Sequence, residues 1–215
     1  MAKVIGVMGE SGSGKTSSMR NLDPKTTFYI DCDKKGLSWK GWRNQYAFEK
    51  KNYMCTDVYQ TVQNILEKID KDEALKHIKV VVIDTLNGLM VADEVRRMQE
   101  KGYDKWQDLA QCVWSLLDSL YTLRDDLTVI ILCHSQTQKE DDGYTFTRIK
   151  TSGKKLDKLC IETKLTTVLY AVANNGKYVF QTHAINSTAK TPLGAFKEDE
   201  IENDITKVLE VLKDY

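Results

Sequence analysis

Short apolar runs and amphipathic stretches follow one another along the chain. Residues 3–8 hold the run Val4-Ile5-Gly6-Val7-Met8, residues 26–30 read Thr-Thr-Phe-Tyr-Ile, and residues 80–83 are Val-Val-Val-Ile without a break. Apolar, β-branched runs of this length predict strands, and the unbroken 80–83 segment predicts one buried on both faces. A further strand is predicted over 128–133. Between the strands, Val58, Val62, Ile65, Leu66 and Ile69 recur at helical spacing. Two more helices are predicted over 86–100 and 105–123, parted at Gly102. This alternation predicts βαβ units and a largely parallel sheet.

The pattern changes after residue 133. Residues 139–153 are polar, charged and glycine-containing, and read as a long loop or small excursion. Two strand-like runs, 166–173 and 177–184, meet at Asn174-Asn175-Gly176, and Asn-Gly predicts a hairpin turn. The sheet is therefore expected to end in an antiparallel hairpin. The tail over 198–212 sets Ile201, Ile205, Val208, Leu209 and Leu212 at helical spacing behind an acidic start, which predicts a terminal helix. No repeat, low-complexity stretch or linker divides the chain. Its 215 residues predict one α/β domain spanning 1–215.

Composition narrows the partners. Lys and Arg total 31 against 31 Asp and Glu, so zero net charge gives no sign of a generally basic nucleic-acid coat, and only local charge could serve that role. No apolar run approaches the ~20 residues of a membrane span. The first strand starts at once, which reads as no signal peptide and a cytoplasmic protein. Cys32, Cys55, Cys112, Cys133 and Cys160 are scattered without a C-x-x-C pair. That spacing argues against zinc and for reduced thiols. His77 and His183 have no partners at metal spacing and read as structural.

Gly9-Glu10-Ser11-Gly12-Ser13-Gly14-Lys15-Thr16 matches the phosphate-loop pattern G-x-x-x-x-G-K-[ST]. It follows the first strand, and Ser17 to Leu22 predict the start of a helix, which is the context the motif needs. Glycines let successive N–H groups form a concave nest, and a helix N-terminus adds partial positive charge. Lys15 is expected to reach the β- and γ-phosphates of ATP, and Thr16 to hold Mg²⁺.

Three strand ends supply further candidates. Asp84 closes the Val80 run, and a carboxylate there suits Mg²⁺ bridging two phosphates. Asp31 and Asp33 end the second strand. Strand alternation would point both to one side, where one could polarise an attacking water, and the competing reading is a pair of turn caps. His134 and Gln136 end the fourth strand. Either could bond the γ-phosphate, or both could form a polar strand end facing solvent. Between residues 143 and 158, Arg148, Lys150, Lys154, Lys155 and Lys158 interleave with Tyr144 and Phe146. Such a segment suits single-stranded nucleic acid. The adjoining Glu140-Asp141-Asp142 also allows a solvated surface loop.

Together these strand ends resemble the RecA-like P-loop ATPases. The segment Tyr29-Ile30-Asp31-Cys32-Asp33-Lys34-Lys35-Gly36-Leu37 resembles the family's second strand, where an acid two places after an aspartate activates water. The resemblance implies that role for Asp33. Val82-Ile83-Asp84-Thr85 resembles the magnesium strand, and Val129-Ile130-Ile131-Leu132-Cys133-His134 resembles the sensor strand, with histidine where RecA has glutamine. Ala189-Lys190-Thr191-Pro192 sits where hexameric relatives present a basic residue to a neighbour's nucleotide, which implies Lys190. The size of the chain, its early loop and the Tyr103-Asp104-Lys105-Trp106 region are similar to small bacteriophage members of the single-strand annealing and recombination group. That resemblance implies a homo-oligomer, ring or filament, binding single-stranded DNA. Two other readings share the loop: a small-molecule or nucleotide kinase, and an ATP-dependent interaction switch. The kinase reading wants an arginine-rich lid, and only Arg96-Arg97 are adjacent.

Overall fold

The structure, a computed structural model, describes residues 1–102, 104–139, 143–152, 158 and 160–215. In chain order the elements are β1 (Lys3–Gly9), β2 (Thr27–Asp31), α1 (Trp42–Gln45), β3 (Tyr53–Cys55), α2 (Tyr59–Lys71), β4 (Val80–Asp84), α3 (Leu86–Arg96), α4 (Asp104–Leu120), β5 (Thr128–Lys139), β6 (Thr145–Ile149), β7 (Thr167–Asn174), β8 (Lys177–Gln181), β9 (Glu200–Glu202) and α5 (Ile205–Val211). Among the described residues, nine strands form one sheet in the order β3-β2-β4-β5-β1-β7-β8-β9, with β6 paired to β5. Strands β3, β2, β4, β5, β1 and β7 run parallel, whereas β7, β8 and β9 form the antiparallel end. This is the mainly parallel sheet with flanking helices and a C-terminal hairpin that the sequence predicts.

Strand alternation divides the core into two layers. Val4 and Met8 of β1, Phe28 and Ile30 of β2, Val81 and Ile83 of β4, and Val129 and Ile131 of β5 face α2, α3 and α4. Their neighbours Ile5, Val7, Tyr29, Val82, Ile130 and Leu132 face the turn after β1, the segment around Tyr46, and α5. Both faces being covered explains why the central strands carry no polar alternation.

Three expectations are corrected. The predicted helix after the phosphate-loop motif is one short 3₁₀ turn, Ser17–Met19. Ser18 Oγ turns back to donate to the Lys15 carbonyl (2.6 Å), and Asp23-Pro24 follows closely, so the chain has neither the propensity nor the length for more turns. The expected loop over 139–153 is in part a ribbon. β5 outruns β1 and β4 and pairs its polar end, Ser135 to Lys139, with β6. Polar on both faces, that end lacks the apolar signal by which strands are read. Last, the terminal helix begins only at Ile205. Ile201 lies in β9 against Phe180, and Asp204 caps α5 by accepting from the Thr206 N–H (3.0 Å).

Candidate functional site

The C-terminal ends of β1, β2 and β4 lie level with the middle of β5: Gly9 pairs with His134, Asp31 with Asp84, and Asp84 with Leu132. A cleft of about 670 Å³ opens above them. It is lined by Ser11, Gly12, Gly14, Lys15, Thr16 and Ser17 of the loop, by Lys35, Ser38, Thr85 and His134, and by Arg20, Tyr178, Glu202 and Asn203. That volume lies within the ~300–1,000 Å³ of small-molecule sites.

The loop leaves β1 at Gly9, where a Cβ would fall 2.4 Å from Ser13 Oγ and 2.7 Å from the Ala171 carbonyl oxygen. Only glycine lets the chain turn there. Gly14 has φ of 90°, and a Cβ would meet Tyr178 Cδ1 at 2.9 Å. Among the described residues, the N–H groups of Gly12, Gly14, Lys15 and Thr16 have no backbone acceptor, which leaves them for an anion. Lys15 is 6% exposed and folds over the loop, donating to the carbonyls of Gly9 (2.8 Å) and Glu10 (2.6 Å). Burial pulls its ammonium below the ordinary lysine range, against the field of Asp84. Ser13 Oγ is buried without a partner among the described residues, and Ser17 Oγ pairs with Ser38 Oγ at 2.9 Å.

Asp84 is 2% exposed. Its Oδ2 accepts from Thr16 Oγ1 (2.8 Å) and Tyr29 Oη (2.7 Å), while Oδ1 is buried with no partner among the described residues. Burial pushes the carboxyl above its usual range, and the bonds from Tyr29 and Thr16 only partly oppose this. A buried, half-satisfied carboxylate beside a threonine hydroxyl is the hard-oxygen donor set that Mg²⁺ prefers, so Thr16 and Asp84 fit that ion.

Asp31 and Asp33 have different partners. Asp31 Oδ2 accepts from the Gly36 N–H and Tyr53 Oη, both at 2.8 Å, and caps the turn. Asp33 instead meets Thr85 Oγ1 (2.8 Å) and Lys35 Nζ (2.5 Å) at the cleft. Burial alone would raise its carboxyl. The hydrogen bonds from Lys35 and Thr85 outweigh burial and hold it below the usual range. His134 lines the cleft, its N–H donating to Asn87 Oδ1 (2.7 Å) and its carbonyl accepting from the Lys150 N–H (2.8 Å). Burial, then the field of Lys15, lowers its imidazole, which keeps it neutral at pH 7. Gln136 lies further along, opposite Arg148 in the ribbon.

The basic segment is only partly a surface. Arg148 has a side chain 8% exposed that meets Glu162 at 3.3 Å, and Glu162 also accepts from the Ile149 N–H. This corrects the expectation for Arg148: a guanidinium so enclosed is not presented to a phosphate backbone. Lys150 is exposed, and Lys154 and Lys155 lie outside the described residues. Lys190 bridges Val168 of β7 through its backbone, level with Gly6, and does not line the cleft. Arg96 and Arg97 are engaged by Asp57 and by Glu100 and Asp108, away from the cleft. They form no lid.

Sequence reasoning missed Tyr29, Lys35, Thr85, Asn87, Tyr178 and Asn203 as site residues. Lys35 and Thr85 adjoin motif aspartates, so proximity could have marked them. Tyr178 and Asn203 come from β8 and the segment after β9, and nothing in the linear pattern ties them to the loop.

Among solved structures, the chain is similar to the P4 protein from bacteriophage phi6 in complex with ADP, at 14% identity and a TM-score of 0.40. The match covers 84% of this chain and 55% of that protein, so the chain spans about half its length. No curated protein matches. The family profile described as AAA domain matches residues 1–193, most of the sequence that builds the sheet and its cleft, and the chain belongs to that family.

Proposed function

We propose that this chain binds ATP with Mg²⁺ and hydrolyses it. The observation that carries the proposal is a cleft lined by Lys15, the free loop amides and Thr16, with Asp84 bonded to Thr16 and Asp33 bonded to Lys35 and Thr85 of the same lining. Lys15 exchanges the Gly9 and Glu10 carbonyls for phosphate oxygens, and the loop from Gly9 to Ser17 surrounds them. Thr16 and Asp84 would hold Mg²⁺, which when bound neutralises charge on the phosphates. Asp33 aligns a water and accepts its proton, while the water oxygen bonds to the γ-phosphorus and the bridging bond to ADP breaks, its electron pair leaving with ADP. Neutral His134 donates a hydrogen bond to the γ-phosphate and loses that partner after cleavage. Lys35 lines the cleft and clamps Asp33, so a bound triphosphate competes for its ammonium and frees the carboxylate. The test is Mg²⁺-dependent ATP hydrolysis. Lys15→Ala is expected to abolish it, and retained turnover would refute the assignment.

The same proposal extends to single-stranded DNA, in recombination or annealing. Its support is the β5–β6 ribbon, which leaves the sheet directly after His134 and carries the rings of Tyr144 and Phe146 stacked at 6.0 Å and 16°. Aromatic rings on a projecting ribbon suit base stacking. Assembly into a ring or filament would give Lys190 a neighbour's nucleotide to contact.

A further inference from the structure

We propose that Tyr178, Asn203 and Arg20 form a subsite that takes the base of the nucleotide and selects adenine. The inference rests on the phosphate-loop reading and adds to it the wall of the cleft built by the C-terminal elements. Tyr178 stands on β8, 51% exposed, with its ring against Gly14 where a Cβ would come within 2.9 Å. A half-exposed aromatic ring that lines the cleft beside the phosphate loop offers a face on which a base can stack. Asn203 follows β9, lines the same cleft and is 4% exposed, and its Nδ2 has no hydrogen-bond partner among the described residues. A buried amide donor without an acceptor is unfavourable, and a ligand that brings an acceptor relieves it.

The chemistry of the amide selects the ligand. Asparagine offers a donor and an acceptor side by side, and adenine offers the complementary pair at its amino group and adjoining ring nitrogen. Guanine presents two acceptors along the corresponding major-groove edge. Arg20 fixes the geometry: its Nη1 donates to the Asn203 carbonyl (3.0 Å) and to the Ser17 carbonyl (3.1 Å), tying the base wall to the loop. Asp204, next along, accepts from Asn21 Nδ2 (2.6 Å) and adds a second tie. These bonds hold the Asn203 segment against the residues that follow the loop.

The experiment is calorimetric titration of the full chain, wild type, Tyr178→Ala and Asn203→Asp, with Mg²⁺ and three probes: ATP, GTP and tripolyphosphate. Wild type is expected to bind ATP more tightly than either other probe. Tyr178→Ala should weaken ATP on the order of ten-fold or more while leaving tripolyphosphate unchanged. Asn203→Asp, nearly isosteric, should weaken ATP with no gain for GTP, because a carboxylate has no donor for the adenine ring nitrogen and meets two acceptors on guanine. Tyr178→Trp should retain ATP affinity, which separates loss of stacking from loss of folding. Equal affinity of wild type for ATP and tripolyphosphate would overturn the subsite, as would variants that lose both probes alike. Wild type that binds neither probe would instead defeat the phosphate-loop reading, and the subsite with it.

Discussion

Asp84 sits where burial disfavours its charge, with one oxygen partnered and the other bare among the described residues. The sign of the linkage follows. A carboxyl raised above its unfolded value stabilises the fold below that value and ceases to do so as pH rises through the folded one. Above the folded value the ionised group is a liability in the free protein. Asp84→Asn is therefore expected to stabilise the free chain by about 1 kcal/mol, a rise of roughly 2–4 °C in Tm. The same variant should lose the further Tm increase that ATP produces only with Mg²⁺, and scanning calorimetry reads both effects. Asp33 behaves oppositely, because Lys35 and Thr85 hold its carboxyl low. Removing the ammonium in Lys35→Met should raise that carboxyl, and the acidic limb of the kcat/KM–pH profile, which reports the free enzyme, should move to higher pH. An unmoved limb would separate Lys35 from the base.

Secondary elements carry the next set of consequences. In the β5–β6 ribbon, Arg148 and Glu162 form an enclosed pair whose loss strands a buried charge. Arg148→Ala should cost roughly 3 kcal/mol in urea unfolding, with any change in DNA affinity secondary to that loss. Helix α5 depends on its cap. At Asp204 burial is outweighed by hydrogen bonds from Thr206 and Asn21, and the carboxyl lies below its usual range. Its contribution is present above the unfolded value, ~3.9, and is lost as pH falls through the folded one. Asp204→Ala should cost about 1 kcal/mol at pH 7, with the difference from wild type shrinking under acid. The capping pattern also shows what was legible. Asn203-Asp204 is a stop-and-start signal inside the 198–212 periodicity, and a helical reading that counts Ile201 with Ile205 passes over it.

At the scale of the molecule, the sheet sets its strand ends against one cleft and sends the ribbon out beside it. If the ribbon couples DNA to the cleft, single-stranded DNA should stimulate Mg²⁺-dependent hydrolysis in wild type and do nothing in Lys15→Ala. Hydrolysis indifferent to DNA would leave the cleft assignment standing and remove the ribbon's role. Sedimentation velocity with and without ATP tests the assembly that Lys190 would need. No helix among the described residues is long and apolar enough to cross a membrane.

Linear pattern alone determined the central strands, α2, α4, the C-terminal hairpin and the loop from Gly9 to Thr16, because each is written in contiguous residues by period, turn chemistry or motif. It also placed Asp84 at a strand end, since a run that stops at a polar residue is visible locally, whereas Asp33 lies two residues past β2 and His134 lies inside β5. Only tertiary structure decided which aspartate caps a turn and which bonds to residues lining the cleft, because that choice depends on Tyr53 and Thr85 from other elements. It likewise decided that Arg148 is enclosed by Glu162 and that Tyr178 and Asn203 stand over Gly14. Those outcomes are contacts between residues far apart in the chain, fixed by sheet order and register, which local periodicity does not encode.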